Sequence, residues 1–71
     1  MAIQNRVKEL RAKHSYSQSD LAEKVGVTRQ TIAAIEKGDY VPSLLLGLLL
    51  CDIFHLPMEE IFWLKKKEGE I

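Results

Sequence analysis

The chain has 71 residues, ten Lys/Arg balanced by ten Asp/Glu, and one cysteine. That length holds a single domain near the lower end of what one hydrophobic core stabilises unaided, and a lone cysteine excludes an intramolecular disulfide and suits a reducing compartment. No charged segment followed by a long apolar run opens the chain, and no apolar stretch reaches the roughly 20 residues of a membrane span, so a cytoplasmic protein without a membrane partner is expected.

Ile3, Val7 and Leu10 recur at helical spacing and predict a first amphipathic helix over Gln4 to Lys13, with Asn5 as an alternative cap. Arg11 follows Val7 by four residues and lies only about 40° off the apolar stripe. It is therefore expected half in the core, where a charge needs a partner. Glu36, about 40° from Ile32 on a later helix, answers that description. The alternative is two solvated charges.

Gln18 to Lys37 reads as two short helices joined by a tight turn, the second running from Arg29 to Lys37. Ser17 opens the first helix with Asp20 three residues on, a capping-box spacing, and Tyr16 and Leu21 stand at hydrophobic-staple positions. Helices meeting at a steep angle across a short turn need a small side chain at the crossing, which Ala22 supplies. The chain must then reverse after Val25, and Gly26 takes φ > 0 without steric cost. Thr28 caps the second helix, with Val27 and Ile32 as its staple. At about 100° per residue, Gln30, Ala33, Ala34 and Lys37 share one side of that helix, opposite Ile32 and Ile35, and Arg29 projects from its first turn. Two alanines let a helix settle into a major groove, and Arg and Gln at its N-terminal end suit bidentate contacts with bases. The alternative is a helix pair that serves as a plain structural or protein-docking element, but a merely solvated face more often carries Glu and Lys.

Ser17-Gln18, Leu21-Ala22, Gly26-Val27, Arg29-Gln30-Thr31-Ile32 and Ile35-Glu36, taken together, resemble the phage-repressor (Cro/CI-like, Xre) family of helix-turn-helix regulators, from about Asn5 to Phe62. The resemblance implies an all-α, five-helix, lambda-repressor-like DNA-binding domain, and it pairs Arg11 with Glu36. It also makes Gln18 a phosphate-contacting glutamine, and some compact members of the family pair Met1 to Ile3 as a short strand with Phe62 to Lys65.

Beyond the motif, Gly38 reads as a helix stop and Asp39 to Pro42 as a loop. Ser43 caps a fourth helix, Leu44 to Phe54, too short to span a bilayer and apolar nearly all round. So small a domain cannot bury every side of such a helix. Leu45 and Leu49, leucine where the family is commonly polar, are expected to form an exposed strip that wants a partner. His55 stands where the family usually ends the helix with glycine. Pro57 starts a short fifth helix, Met58 to Phe62, whose Glu59 and Glu60 suit the positive end of its dipole. Residues 1–64 form the domain and residues 65–71 a charged tail. Lys65 to Lys67 could meet phosphate, but Glu68 and Glu70 dilute them.

Charge is distributed unevenly. Residues 1–41 carry seven Lys/Arg against five Asp/Glu, and residues 42–71 three against five. The excess positive charge thus lies with the reading motif, and phosphate binding requires only local neutralisation. Cys51 and His55, four apart with Asp52 alongside, have a metal-compatible spacing, but no second ligand pair follows and a buried thiol is a small hydrophobe. His14 is read as facing a helix dipole. Ser, Thr and His residues form no nucleophile-base-orienter grouping, and there is no glycine-rich phosphate loop, so no catalytic residue, metal, cofactor or small-molecule effector is assigned.

The sequence reading is a sequence-specific, DNA-binding transcriptional regulator, a repressor acting as a homodimer on a palindromic operator in double-stranded DNA. Arg29, Gln30, Ala33 and Ala34 face bases. Gln18, Thr28, Thr31, Lys37 and Tyr40 face phosphates, and Leu45, Leu49, Ile61 and Trp63 form the dimer contact. The alternative is a protein-interaction module, such as the antitoxin-like partner of another chain, using the apolar face of the fourth helix and Trp63.

Overall fold

The computed structural model describes residues 2–65. Strand β1 (Ala2–Asn5) leads into helix α1 (Val7–Lys13), followed by α2 (Gln18–Val25), α3 (Arg29–Lys37) and α4 (Leu44–Phe54), then a 3-10 turn (Met58–Glu60) and strand β2 (Phe62–Lys65). The architecture is mostly helical, with the two strands paired antiparallel from Ala2 opposite Lys65 to Asn5 opposite Phe62.

Two boundaries differ from the sequence reading. The first helix starts at Val7, because Ala2 to Asn5 spend their backbone groups on β2 and Asn5 Oδ1 accepts the Val7 N–H at 3.0 Å. Asn5 Nδ2 also donates to the Ile35 carbonyl at 3.0 Å, which ties the start of α1 to α3. The expected fifth helix, Met58 to Phe62, is only the 3-10 turn: Ile61 N–H closes on the Met58 carbonyl at 3.0 Å, and Phe62 then joins the sheet. Four helices and a turn therefore replace five helices, while the terminal strand pair that the resemblance implied is present, with its first strand at Ala2–Asn5 rather than Met1 to Ile3. Met1 and residues 66–71, including most of the expected charged tail, lie outside the described residues.

The motif helices are fixed locally. Ser17 Oγ accepts the Asp20 N–H at 2.9 Å while Asp20 Oδ2 accepts the Ser17 N–H at 2.9 Å, a reciprocal cap that satisfies two otherwise unpaired donors. Gly26, at φ 75°, ends α2, and Val27 N–H returns to the Ala22 carbonyl at 2.9 Å. Thr28 Oγ1 accepts the Thr31 N–H at the start of α3, as Ser43 Oγ accepts the Leu46 N–H at the start of α4. Beneath them lies one core in which Leu21, Ile32, Ile35, Leu50, Ile61 and Val7 are essentially sealed from solvent. Gly47 faces Met58, whose Cε would stand 3.0 Å from a Cβ at that position, so the glycine lets the turn pack onto α4.

Candidate nucleic-acid interface

Helix α3 buries Ile32 and Ile35 and turns its other side outward. Arg29, Gln30 and Lys37 are exposed, with Ala33, Ala34 and Thr31 half-buried. The face is therefore low in relief along its middle and polar at both ends. Thr28 and Tyr40 are exposed on the flanking segments. Thr28 and Thr31 hydroxyls lie 3.1 Å apart, a shared polar pair at the N-terminal end of α3.

Behind this face runs a chain of side-chain hydrogen bonds. Arg11 Nε donates to Glu36 Oε2 at 2.7 Å and Arg11 Nη2 to Glu36 Oε1 at 3.3 Å, with the two side chains 15% and 5% exposed. Arg11 Nη1 also donates to the Tyr16 carbonyl at 3.0 Å. The hydrogen bond to Glu36 is the main reason the Arg11 guanidinium holds its proton more tightly than usual, against the opposing effect of burial. Gln18 Nε2 donates to Glu36 Oε1 at 3.1 Å, and Gln18 Oε1 accepts from Arg29 Nη1 at 3.3 Å. The first residue of α2 thus bridges a largely buried ion pair and the first residue of α3. Spacing alone gave no sign of this bridge. At the start of α2, the Ser17 backbone N–H and then its hydroxyl hold the Asp20 carboxyl below its ordinary value.

The apolar surface overlaps only in part with the one the sequence placed: Leu45 and Trp63 are exposed as expected, Leu49 and Ile61 are not. Leu44, Leu45 and Leu48 are 74%, 69% and 52% exposed, whereas Leu49 is half-buried against the core. Ile61 is completely buried, so it belongs to the core and has no surface to offer a partner. The usable signal was Asp52: Leu44, Leu48 and Asp52 recur every four residues, and the carboxylate marks that side as the solvent side. Trp63 is 42% exposed, its ring under the Arg6 guanidinium at 5.6 Å. Beside the leucines lies an apolar cleft of about 300 Å³ between the sheet and α4, lined by Ile3, Val41, Leu44, Gly47, Met58 and Phe62.

The residues weighed as metal ligands have other neighbours. Cys51 Sγ lies 4.0 Å from Met58 Sδ, and His55, at φ 55°, closes α4 in a left-handed conformation. The His14 ring packs between Tyr16 and Phe54, with centroids 5.6 and 5.5 Å away.

Against known proteins, residues 7–61 match the helix-turn-helix family profile HTH_3. The chain belongs to that family. Its members of the Xre, Cro/CI-like type are DNA-binding transcriptional regulators rather than enzymes. The chain is 63% identical over 65 residues to the uncharacterized HTH-type transcriptional regulator YgzD of Bacillus subtilis, covering 92% of this chain and 98% of that one. It is 50% identical over 60 residues to an uncharacterized HTH-type transcriptional regulator of Methanocaldococcus jannaschii, covering 84% and 91%. Among solved structures, the restriction-modification controller protein C.AhdI of Aeromonas hydrophila superposes with a TM-score of 0.71 at 31% identity, over 78% of this chain and 83% of that one. The SOS-response repressor LexA of Eubacterium rectale, at 24% identity and a TM-score of 0.75 over 93% and 68%, shares the fold. This HTH_3 chain is thus a transcriptional regulator whose helix-turn-helix is α2 and α3.

Proposed function

We propose that this HTH_3 regulator is a homodimeric repressor that reads a palindromic operator by laying α3 in the major groove and represses by occluding the promoter. The observation that carries the reading is the outward face of α3, with Arg29 and Gln30 exposed at its N-terminal end and two half-buried alanines behind them. Arg and Gln at that end meet base edges, while Ala33 and Ala34 let the helix approach closely. Gln18, Thr28, Thr31, Lys37 and Tyr40 flank the face and serve as phosphate anchors. A two-fold dimer sets two such helices about 34 Å apart, matching half-sites one helical turn apart. Leu44, Leu45 and Leu48, with Trp63, supply the apolar surface for that dimer. Such a protein works in the cytoplasm, where its DNA is.

The test is a set of binding curves on fragments of its own promoter and on scrambled duplex, at several salt concentrations. Arg29→Ala or Gln30→Ala should remove roughly 1–3 kcal/mol of discrimination between the two duplexes. Lys37→Ala should weaken both duplexes alike and lower the salt slope by about one unit. Equal losses on both duplexes for Arg29→Ala and Lys37→Ala would reject this division of labour.

A second reading, a module that docks another protein in the manner of an antitoxin, draws on the exposed leucines of α4. It requires tight capture of a different chain together with no preference for any promoter fragment over scrambled duplex.

A further inference from the structure

We infer that Glu36, beyond its ion pair with Arg11, is a positioning residue for base reading: it fixes the amide of Gln18 so that Gln18 in turn holds Arg29. This rests on the assignment of Arg29 to base edges.

The argument starts from donor and acceptor chemistry. An ionised carboxylate only accepts hydrogen bonds, whereas an amide side chain carries a donor end and an acceptor end. Glu36 Oε1, 3.1 Å from the Gln18 amide nitrogen, therefore dictates which way that amide faces. The NH2 must turn inward, which leaves Oε1 outward, and there it meets Arg29 Nη1 at 3.3 Å. Reversed, the amide would bring an oxygen against the carboxylate and present its NH2 to a guanidinium, with repulsion at both ends. The orientation is thus selected twice over.

Glu36 is itself held. Its carboxylate receives Arg11 through both oxygens, and Arg11 is braced by the Tyr16 carbonyl. The Glu36 side chain is 5% exposed, so water competes poorly for it. Rigidity therefore passes from a nearly sealed carboxylate on the last turn of α3, through the first residue of α2, to an exposed arginine on the first turn of α3. An arginine is flexible, and ordering it only on arrival at DNA would subtract from affinity for the correct site. Holding one Nη of Arg29 from behind leaves the remaining N–H groups of its fork to meet a base. Gln18 Nε2 keeps its second hydrogen, so the same side chain still serves a phosphate.

The test measures discrimination, because a merely structural role for Glu36 cannot move it. Loss of folded protein scales the apparent affinity for every duplex equally and cancels in the ratio. The probe is the tightest duplex recovered by selection from a random-sequence pool, compared with its scramble, for the parent, Arg29→Ala, Glu36→Gln, Gln18→Met and the Glu36→Gln/Gln18→Met pair. Glu36→Gln permits the Gln18 amide to reverse, and Gln18→Met removes the bridge at similar length. Each should lower the selected-to-scrambled ratio roughly 2- to 10-fold, the size of one lost side-chain ordering term. The pair should lose little more than either alone. Arg29→Ala tells the two failures apart. If it lowers the ratio while Glu36→Gln or Gln18→Met leaves the parent value, or if the two losses multiply in the pair, the relay is overturned and base reading stands. If Arg29→Ala itself keeps the parent ratio, base reading by Arg29 falls and the relay falls with it.

Discussion

Breaking the Arg11–Glu36 pair from either side should cost unequal amounts, and the structure says which is larger. A domain of 71 residues, at the general 0.05–0.15 kcal/mol per residue, has roughly 4–11 kcal/mol of total stability. Removing one partner of a buried pair costs about 3–5 kcal/mol, mostly because the other charge is stranded. In Glu36→Ala, Arg11 keeps its bond to the Tyr16 carbonyl, and at 15% exposure its flexible head can slide toward water. That variant belongs near 3 kcal/mol. In Arg11→Met, Glu36 is left 5% exposed with only the Gln18 amide, and the loss should approach 5 kcal/mol. The double variant Arg11→Met/Glu36→Leu strands no charge and should be more stable than either single one. Urea denaturation at one fixed protein concentration measures all three, with Glu9→Ala, at an exposed position, as the control. Single variants that match the control, or a double variant whose loss is the sum of both, would refute the account.

Three further outcomes follow from particular contacts. His55→Gly should stabilise the protein by about 1 kcal/mol, since relief of a left-handed conformation worth roughly 1–2 kcal/mol outweighs the added freedom of an unfolded glycine; a melting temperature that falls would reject this. Asp20 contributes stability that is present above the ordinary carboxylate range and is lost as pH falls through its depressed folded value. The advantage of the parent over Asp20→Asn, followed by circular dichroism, should therefore shrink in acid, and an unchanged gap at low pH contradicts the cap. Leu48→Lys should turn the proposed dimer into a monomer in sedimentation without loss of fold, because Leu48 is 52% exposed, whereas Ile61→Lys should unfold the chain.

What could be read from the sequence is what neighbouring residues decide among themselves. Ser17 with Asp20, Gly26 after Val25 and Thr28 before Arg29 each act within four residues, so the motif helices and the fourth helix were legible. The resemblance implied the pairing of the first residues with Phe62 to Lys65, but nothing local showed that strand β1 runs on to Asn5, because its partner is some sixty residues away and Ile3, Val7 and Leu10 fit a helix equally well. The expected fifth helix failed for the same reason: Pro57 and the two glutamates start a helical turn, but the distant β1 claims the backbone of Phe62. On α4 a nearly uniform run of leucines carries almost no phase. Leu45 was correctly placed outside, while Leu44 and Leu48 were passed over and Leu49 misjudged. Side-chain bonds such as Gln18 to Glu36 have no periodicity at all.

The distribution of positive charge links the proposed dimer to specificity. Several cations are already engaged within the protomer: Arg11 on Glu36, Arg6 over Trp63, Lys24 over Tyr16 at 4.9 Å, and Arg29 partly on Gln18. With four of the ten Lys/Arg so engaged and no net positive charge on the chain, fewer cations are left to neutralise phosphates. Each neutralised phosphate contributes roughly 0.9 to the salt slope, so one protomer alone gains little sequence-independent affinity. In the proposed dimer, affinity then comes from base contacts and from a second protomer that brings the adjacent half-site within reach at high effective concentration. Leu48→Lys, which leaves every residue of α3 in place, should accordingly bring operator binding down toward the level of scrambled duplex. Operator affinity that survived in a proven monomer would separate recognition from dimerisation and leave the exposed leucines to another partner.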